Sequence, residues 1–243
     1  MADIKFEIIK KIGRGKYSEV YQGINTKNDQ KVVLKVLKPV KKNKIRREIK
    51  ILETLKNGPN VVKLLDVVRD PSSKMPCIVT EWIDNDEWKT ISPTFTDEEV
   101  RFYLYQVLVG LDYCHSKGIM HRDIKPHNFI INHSQKPLKI IDWGLAEYYL
   151  PEHNYNVRVA SRYYKGPELL VDDELYEYSL DIWSLGCTMA ALIFRKDPFF
   201  QGNDNEHQLF VIAQVLGTDA LYAYTRKYGL TIKNTHLDNG SKK

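Results

Sequence analysis

The chain reads HRDIKPHN from His121 to Asn128 and, past two apolar stretches and a turn, IIDWG from Ile140 to Gly144. Three polar residues such as His-Arg-Asp meet by chance in many surface turns. Here the spacing Asp-x-Lys-x-x-Asn is complete, and an Asp-aromatic-Gly element follows it. In that arrangement Asp123 can take the proton of an incoming hydroxyl and Lys125 can neutralise charge on a phosphate in transit. Asn128 with Asp142 can hold a divalent metal. The pattern is one for phosphoryl transfer. Phe129 to Asn132 and Leu138 to Ile141 pair as a hairpin in this reading, which brings Asn128 and Asp142 near each other at its open end.

Upstream, Lys31 to Leu37 reads KVVLKVL, a strand by its β-branched content. Strict alternation sets Val33 and Lys35 on one face, with Leu34 and Val36 on the other. A lysine that shares a face with an apolar residue needs a partner for its ammonium. The expected helix from Lys41 to Leu55, stopped by Asn57-Gly58-Pro59, supplies one. Ile45, Ile49 and Leu52 form an i, i+4, i+7 stripe with Glu48 inside it. An inward carboxylate must be paired to offset its desolvation, and pairing Glu48 with Lys35 satisfies both groups while aiming the lysine at phosphates. The rest of that helix and its approach are basic: Lys38, Lys41, Lys42, Lys44, Arg46 and Arg47. Such a run is either a solvated face or a docking site for acidic peptide.

Ahead of these elements, Ile4 to Ile12 reads as a strand, Gly13 to Val20 (GRGKYSEV) as a glycine turn and Tyr21 to Ile24 as the return strand. Gly13 and Gly15 let backbone N–H groups approach oxygens closely, with Val20 over one face of a base. Ser18 stands where the third glycine of the usual Gly-x-Gly-x-x-Gly spacing would be, so this loop alone is a weak signal. Val61 to Val68 and Cys77 to Trp82 complete a small five-stranded sheet. Backbone groups of Glu81, Trp82 and Ile83 are expected along an adenine edge with Val33 over the base, and the family resemblance given below implies Ile141 around the base and Ile130 beneath it. Asp84 to Thr94 is polar and aperiodic, as suits a connector between lobes.

Downstream, Thr96 and Glu99 have capping-box spacing and Gly118 is the expected terminator of a long helix. Its stripe is Val100, Tyr103, Leu104, Val107, Leu108, Leu111 and Cys114. Gly144 to Glu168 reads as a long loop, the kind that tends to carry function. Tyr178 to Phe194 is apolar on every face except for Asp181 and its serines, which predicts a helix in the middle of a lobe. Asp181 there is expected to accept backbone N–H groups of a neighbouring loop. Asn205 to Leu216 gives one further helix, and residues 231–243 form a polar tail.

At 243 residues with 43% hydrophobic content the chain can bury a sizeable core. A net charge of +5 is mild, and no base-stacking or zinc-finger pattern is present, so nucleic acid is not required as a partner. Cys77, Cys114 and Cys187 are scattered in apolar stretches and read as buried thiols of a reducing compartment. The amino terminus is too charged for a signal peptide and no apolar run approaches a bilayer span, so no membrane is expected.

Taken together, the glycine loop, Lys35, Glu48, HRDIKPHN, Asp-Trp-Gly at Asp142 and Gly-Pro-Glu at Gly166 stand in the order and spacing of eukaryotic protein kinases. The chain resembles that family over essentially its whole length. Lys125, two residues after Asp123, resembles the serine/threonine branch. Trp143, where most kinases carry phenylalanine, with KPVKKNKIRREIKIL and YSLDIWSLGC, is similar to the casein kinase 2 catalytic (alpha) subunits. The resemblance implies an α+β, two-lobed fold. A small lobe over residues 1–83 holds a five-stranded antiparallel sheet and a helix, and a mainly helical lobe spans residues 84–230. It implies ATP with tolerance for GTP, Mg2+, and phosphorylation of Ser or Thr in acidic contexts. Lys41, Lys42, Lys44, Arg47, Arg158, Arg162 and Lys165 match the acid-binding positions. It further implies a regulatory beta subunit on the outer sheet face, with Leu34 and Val36, and residence in cytoplasm and nucleus.

Three departures accompany the match. A bracing segment before the first strand is expected to be missing, and Thr80 replaces a phenylalanine. Helices beyond Lys243, one with an arginine for Glu168, are also expected to be missing. An incomplete large lobe predicts marginal stability, and the alternative reading is a truncated nucleotide-binding interaction protein with little or no turnover.

Overall fold

In the computed structural model, which describes residues 5–15, 17–39, 42–69, 74–232 and 237, internal contacts divide the chain into two units. One runs through Asp86 and takes in Ile130–Gly144; the other comprises Glu87–Phe129 and the residues from Leu145 on. The sequence places the boundary at residue 83 and gives residues 84–230 to the second lobe. The return of 130–144 to the first unit has a plain cause in backbone bonding. Ile140 N–H donates to Asn60 O at 2.7 Å, Val62 N–H to Ile140 O at 3.1 Å and Asp86 N–H to Ile131 O at 2.8 Å.

The first unit is built on β1 (Phe6–Arg14), β2 (Ser18–Asn25), β3 (Gln30–Leu37), β4 (Leu64–Arg69) and β5 (Pro76–Glu81), with α1 (Lys42–Thr54) after β3. The strands form one antiparallel sheet in the order β1-β2-β3-β5-β4, the five-stranded sheet expected. β1 and β2 run further into the glycine turn than expected, because Gly13 pairs with Val20 and Arg14 with Glu19, with register shifts on β1 absorbing the extra residues. β4 starts late because Val61 bridges to Ile140 instead of joining the ladder.

Alternation on β3 buries Val32 and Leu34 with Cys77 and Val79, and Phe6, Tyr21, Val36, Leu65 and Val68 pack around them. Leu34 is only 4% exposed, so the face assigned to a partner already packs on itself. Among the described residues the exposed large apolar side chains of this unit are Ile8, Ile9, Ile12 and Tyr17. On α1 the buried positions are Ile45, Glu48, Ile51 and Leu52, and Leu55 is buried just past its end. Ile51 displaces Ile49 from the expected stripe, since the face centres between positions 48 and 52 of a 3.6-residue period.

The second unit opens with the short α2 (Trp88–Ile91), inside the stretch read as a connector. Trp88 meets Phe95 and Phe129 edge to face at 5.9 and 6.3 Å, which gives this polar stretch an apolar anchor. α3 (Asp97–Ser116) starts on a capping box: Glu99 N–H donates to Thr96 Oγ1 at 3.2 Å and Thr96 N–H to Glu99 Oε2 at 3.1 Å. Val100, Tyr103, Val107, Leu111 and Cys114 are buried as expected, while Leu108 is exposed, so the stripe is narrower.

β6 (Ile119–Met120) pairs with β9 (Glu147–Tyr148), and β7 (Phe129–Ile131) pairs with β8 (Leu138–Ile140) as the expected hairpin. The loop read from Gly144 to Glu168 is pinned as well as long. Tyr155 and Val159 are buried with Met120, Leu169, Tyr176 and Leu180.

After α4 (Pro167–Leu170) come α5 (Ser179–Ile193), α6 (Asn205–Leu216) and α7 (Asp219–Tyr228). α5 departs from the all-round burial expected of it: Ile182, Met189 and Ile193 are exposed at helical spacing, because α3 and the 3-10 turn Arg162–Tyr164 cover only its other side. α7 is absent from the sequence reading, although its signals stand in the chain: Asp219 in the first turn, Arg226 and Lys227 in the last, and Gly229 in the left-handed conformation as the cap. In the segment read as a polar tail, Leu237 is buried against Val171, Leu209 and Ala213. Among the described residues no helix is long and apolar enough to cross a membrane.

Candidate active site

Register decides what shares a face of the first unit's sheet. Gly13 lies opposite Val20, Val20 opposite Lys35 and Lys35 opposite Ile78, one row across four strands. Val33, two residues before Lys35, pairs with Gln22 and Thr80 in the next row of the same face. Neither Gly13 nor Gly15 is required by the fold itself. A Cβ at Gly13 would meet Val20 at 3.5 Å and one at Gly15 would meet Ser18 Oγ at 3.6 Å, both ordinary contacts. What glycine leaves is bare backbone at the end of the Lys35 row, the surface a phosphate-covering hairpin needs. Ser18 is buried, Val20 and Val33 are half-buried, and Lys38 Nζ donates to Gly15 O at 2.9 Å.

Lys35 Nζ donates to Glu48 Oε1 at 2.7 Å and to Asp142 Oδ1 at 2.8 Å. The partner expected from the α1 stripe is thus in place, with Asp142 as a second. Burial alone would depress the Lys35 ammonium, but Glu48 and then Asp142 outweigh it and hold its pKa above the ordinary lysine range. Glu48 is 7% exposed and Asp142, with φ at +60°, keeps a half-exposed carboxylate. A Cβ at Gly144 would press to 3.3 Å from Asp142 Oδ1 and 3.4 Å from Glu48 Oε2, so a larger residue there crowds this triad. Trp143 is buried and donates from Nε1 to Ile140 O at 3.3 Å.

Along the expected adenine edge, the Glu81 N–H is committed to Lys63 O at 3.0 Å. The Glu81 carboxylate accepts from Lys63 N–H at 2.8 Å, and Trp82 Nε1 donates to Asp84 Oδ1 at 2.9 Å. Ile83, Ile130 and Ile141 are half-buried, whereas Ile131 and Ile140 between them on the hairpin are buried.

In the second unit the loop after β6 is held from below by α5. Asp181, fully buried, accepts from His121 N–H and Arg122 N–H at 2.8 Å each and lies 2.9 Å from His115 Nε2. That is the satisfaction expected for Asp181, with His115 added. Arg122 is turned inward: Nε donates to Leu145 O and an NH group to Tyr176 Oη, both at 2.8 Å.

Asp123 is the hub. Its Oδ2 accepts from Lys125 Nζ at 2.9 Å and Asn128 Nδ2 at 3.2 Å, and its Oδ1 accepts from the backbone N–H and the hydroxyl of Ser161, each at 3.0 Å. Lys125 Nζ also donates to Ser161 Oγ at 2.7 Å. Ser161 is the functional residue that the sequence reading missed. It lies 38 positions from Asp123 in an irregular stretch with no motif of its own.

Asn128 donates a second bond from Nδ2, to Asp123 O at 2.7 Å, which fixes its amide with Oδ1 turned away from that donor side. Asn128 belongs to the second unit and Asp142 to the first. Each offers a hard oxygen, the donor type that magnesium takes alongside phosphate oxygens, so the residues fit the metal in chemistry. Among the described residues no group of three or more His, Cys, Asp and Glu side chains gathers as a metal cluster.

The basic positions divide. Lys44 is exposed, with its ammonium 5.5 Å from the Tyr17 ring centroid, and Arg47 is half-buried. Lys41 lies outside the described residues, as does the side chain of Lys42. Arg158 and Arg162 are exposed. Lys165 is half-buried and donates to Val159 O; burial lowers its pKa, Asp123 opposes the fall and Arg162 adds to it.

The family model described as protein kinase domain matches residues 6–235.

Proposed function

The chain belongs to the protein kinase domain family, and from that premise we propose that it is a serine/threonine kinase that moves the γ-phosphoryl group of ATP onto hydroxyls in acidic surroundings. The observation that carries this reading is the Asp123 carboxylate, held on one oxygen by Lys125 and on the other by Ser161. A carboxylate has about four acceptor directions, and four donors occupy them here. A substrate hydroxyl therefore displaces one donor when it delivers its proton to Asp123. Lys125 is the donor free to leave, since its ammonium then follows the charge of the moving phosphoryl group.

Lys35, fixed by Glu48, binds the non-transferred phosphates, and the bare backbone of Gly13 and Gly15 covers them. Bound Mg2+ neutralises phosphate charge, with Asp142 and Asn128 as the residues that would hold it. GTP is the second nucleotide we propose, on the resemblance to casein kinase 2 alone.

Substrate choice follows from the basic positions. Lys44, Arg47, Arg158, Arg162 and Lys165 support an acidic peptide, as do Lys41 and Lys42 by sequence. The resemblance to casein kinase 2 also supports a regulatory beta subunit on the small sheet, reached through the half-buried Val36 and not through Leu34, which is buried, and action in cytoplasm and nucleus.

The test is transfer of labelled phosphate from Mg-ATP to an acidic Ser peptide, with Asp123→Asn as control. Wild type is expected to turn over, and the variant to lose about 10²–10⁴-fold in kcat. Lys44→Glu with Arg47→Glu should raise KM for the acidic peptide and leave KM for ATP unchanged. Transfer that survives Asp123→Asn would remove Asp123 from the chemistry, and equal effects on both KM values would make the basic residues a solvated face.

A further inference from the structure

β2 and β3 stay bonded one residue past the Ser18–Leu37 pair, where the Lys38 N–H donates to Tyr17 O at 2.9 Å. The Lys38 side chain then reaches over the glycine turn, and its Nζ donates to Gly15 O at 2.9 Å. Gly15 N–H itself donates to Ser18 O, also at 2.9 Å. Both backbone polar groups of Gly15 are thus engaged by protein groups, and residues 15, 17 and 18 are tied to one another and to Lys38. Further along the same basic run, the Lys44 ammonium stands 5.5 Å from the Tyr17 ring centroid, a second cation on this turn.

Alternation says from which side Lys38 acts. Counted on from β3, it falls on the face of Leu34 and Val36, whereas Lys35 falls on the other. Lys35 meets Glu48 and Asp142 in the row that carries Val20 and Gly13. Lys38 grips the backbone of the turn from behind that row.

We propose that Lys38 is a positioning residue of the phosphoryl-transfer site: from the face opposite Lys35 it holds the glycine turn in the shape that covers the nucleotide phosphates. This role rests on the kinase reading and deepens it. A turn ordered in advance loses less conformational freedom when it closes on phosphates, so its tether is felt as nucleotide affinity. The bond runs from an ammonium to a carbonyl, which strengthens it, and solvent at the turn screens it, which weakens it. The backbone bond to Tyr17 does not depend on the side chain, so loss of the ammonium frees Gly15 without unpairing β2 from β3. The effect is therefore confined to ligands whose phosphates lie under the turn.

The experiment titrates the full chain by calorimetry with the Mg2+ complex of a non-hydrolysable ATP analogue and, separately, with adenosine. Lys38→Met is expected to weaken the analogue about three- to tenfold and to leave adenosine unchanged. Lys38→Arg, which keeps a cationic donor on a stem of similar reach, should stay within about twofold of wild type. In turnover, Lys38→Met should raise KM for ATP with kcat and KM for the acidic peptide unchanged. The Gly15 amide should also exchange its hydrogen faster in that variant while the amides of β5 do not. Wild-type affinity for the analogue in Lys38→Met would overturn the proposal and return Lys38 to a solvated face. So would an equal loss for the analogue and adenosine, which would make Lys38 a support of the whole unit, or a raised KM for the peptide, which would place it among the acid-binding residues. Each of those outcomes leaves the kinase reading standing, whereas a wild-type chain that fails to bind the analogue would overturn both.

Discussion

At the scale of single residues, the most consequential arrangement is Lys35 between Glu48 and Asp142. Lys35→Met removes the phosphate clamp and leaves the Glu48 carboxylate buried without its cation, a change that costs about 3–5 kcal/mol for comparable buried pairs. The expected result is a chain that still folds but melts lower and loses at least about 10²-fold in kcat. Because the folded-state pKa of Lys35 is raised, its ion pair is fully present below the ordinary lysine value and is lost only as pH climbs through the folded value. Rates measured between about pH 6 and 9 should therefore show no titration of Lys35. A wild-type kcat in Lys35→Met would remove this lysine from the phosphate site.

Ser161 gives a second test at this scale. Its hydroxyl bridges Asp123 and Lys125, so Ser161→Ala should lower kcat by about tenfold with KM for ATP unchanged, while Ser161→Thr, which keeps the hydroxyl, should restore it.

At the scale of elements, α5 acts on the catalytic loop through Asp181. Asp181→Asn keeps one acceptor oxygen but turns an amide donor toward the N–H groups of His121 and Arg122, leaving at least one buried donor unmatched. The expected loss is about 1–3 kcal/mol, read as a lower urea midpoint, together with a fall in kcat because Asp123 follows in the same loop. An unchanged kcat with a lowered midpoint would show that the loop keeps its shape without this support. The capping box of α3 and the buried side of α1 were legible because they rest on neighbours a turn apart. The burial of α5 was not. Its sequence is apolar all round, and only the neighbours that pack on it decide that Ile182, Met189 and Ile193 stay exposed.

At the scale of the whole molecule, the two units do not correspond to two consecutive pieces of chain. Ile130–Gly144 completes the first unit, with Ile140 bonded to Asn60 and Val62, and Ile131 to Asp86. A fragment of residues 1–86 is therefore expected to melt without cooperativity by circular dichroism. Rejoining residues 130–144 through a flexible linker should restore a cooperative transition. A sharp, reversible melt of 1–86 alone would show that the hairpin contributes little to that unit.

The sequence alone determined the motifs and several features whose partner lies within a turn or across a tight hairpin: the sheet's alternation, the Thr96 cap and the order Lys35, Glu48, Asp123, Asn128, Asp142; α7, whose signals are equally local, went unread. Even Glu48 as the partner of Lys35 was legible, because an acid on an apolar stripe demands a cation and one strand offered it. Tertiary structure alone decided that Asp142 also bonds Lys35 and that Ser161 joins Asp123. It also decided that Leu34 lies packed. The physical reason is distance along the chain. Periodicity reports which face of an element turns inward, whereas the identity of what it meets there is set by loops and packing that carry no local signal.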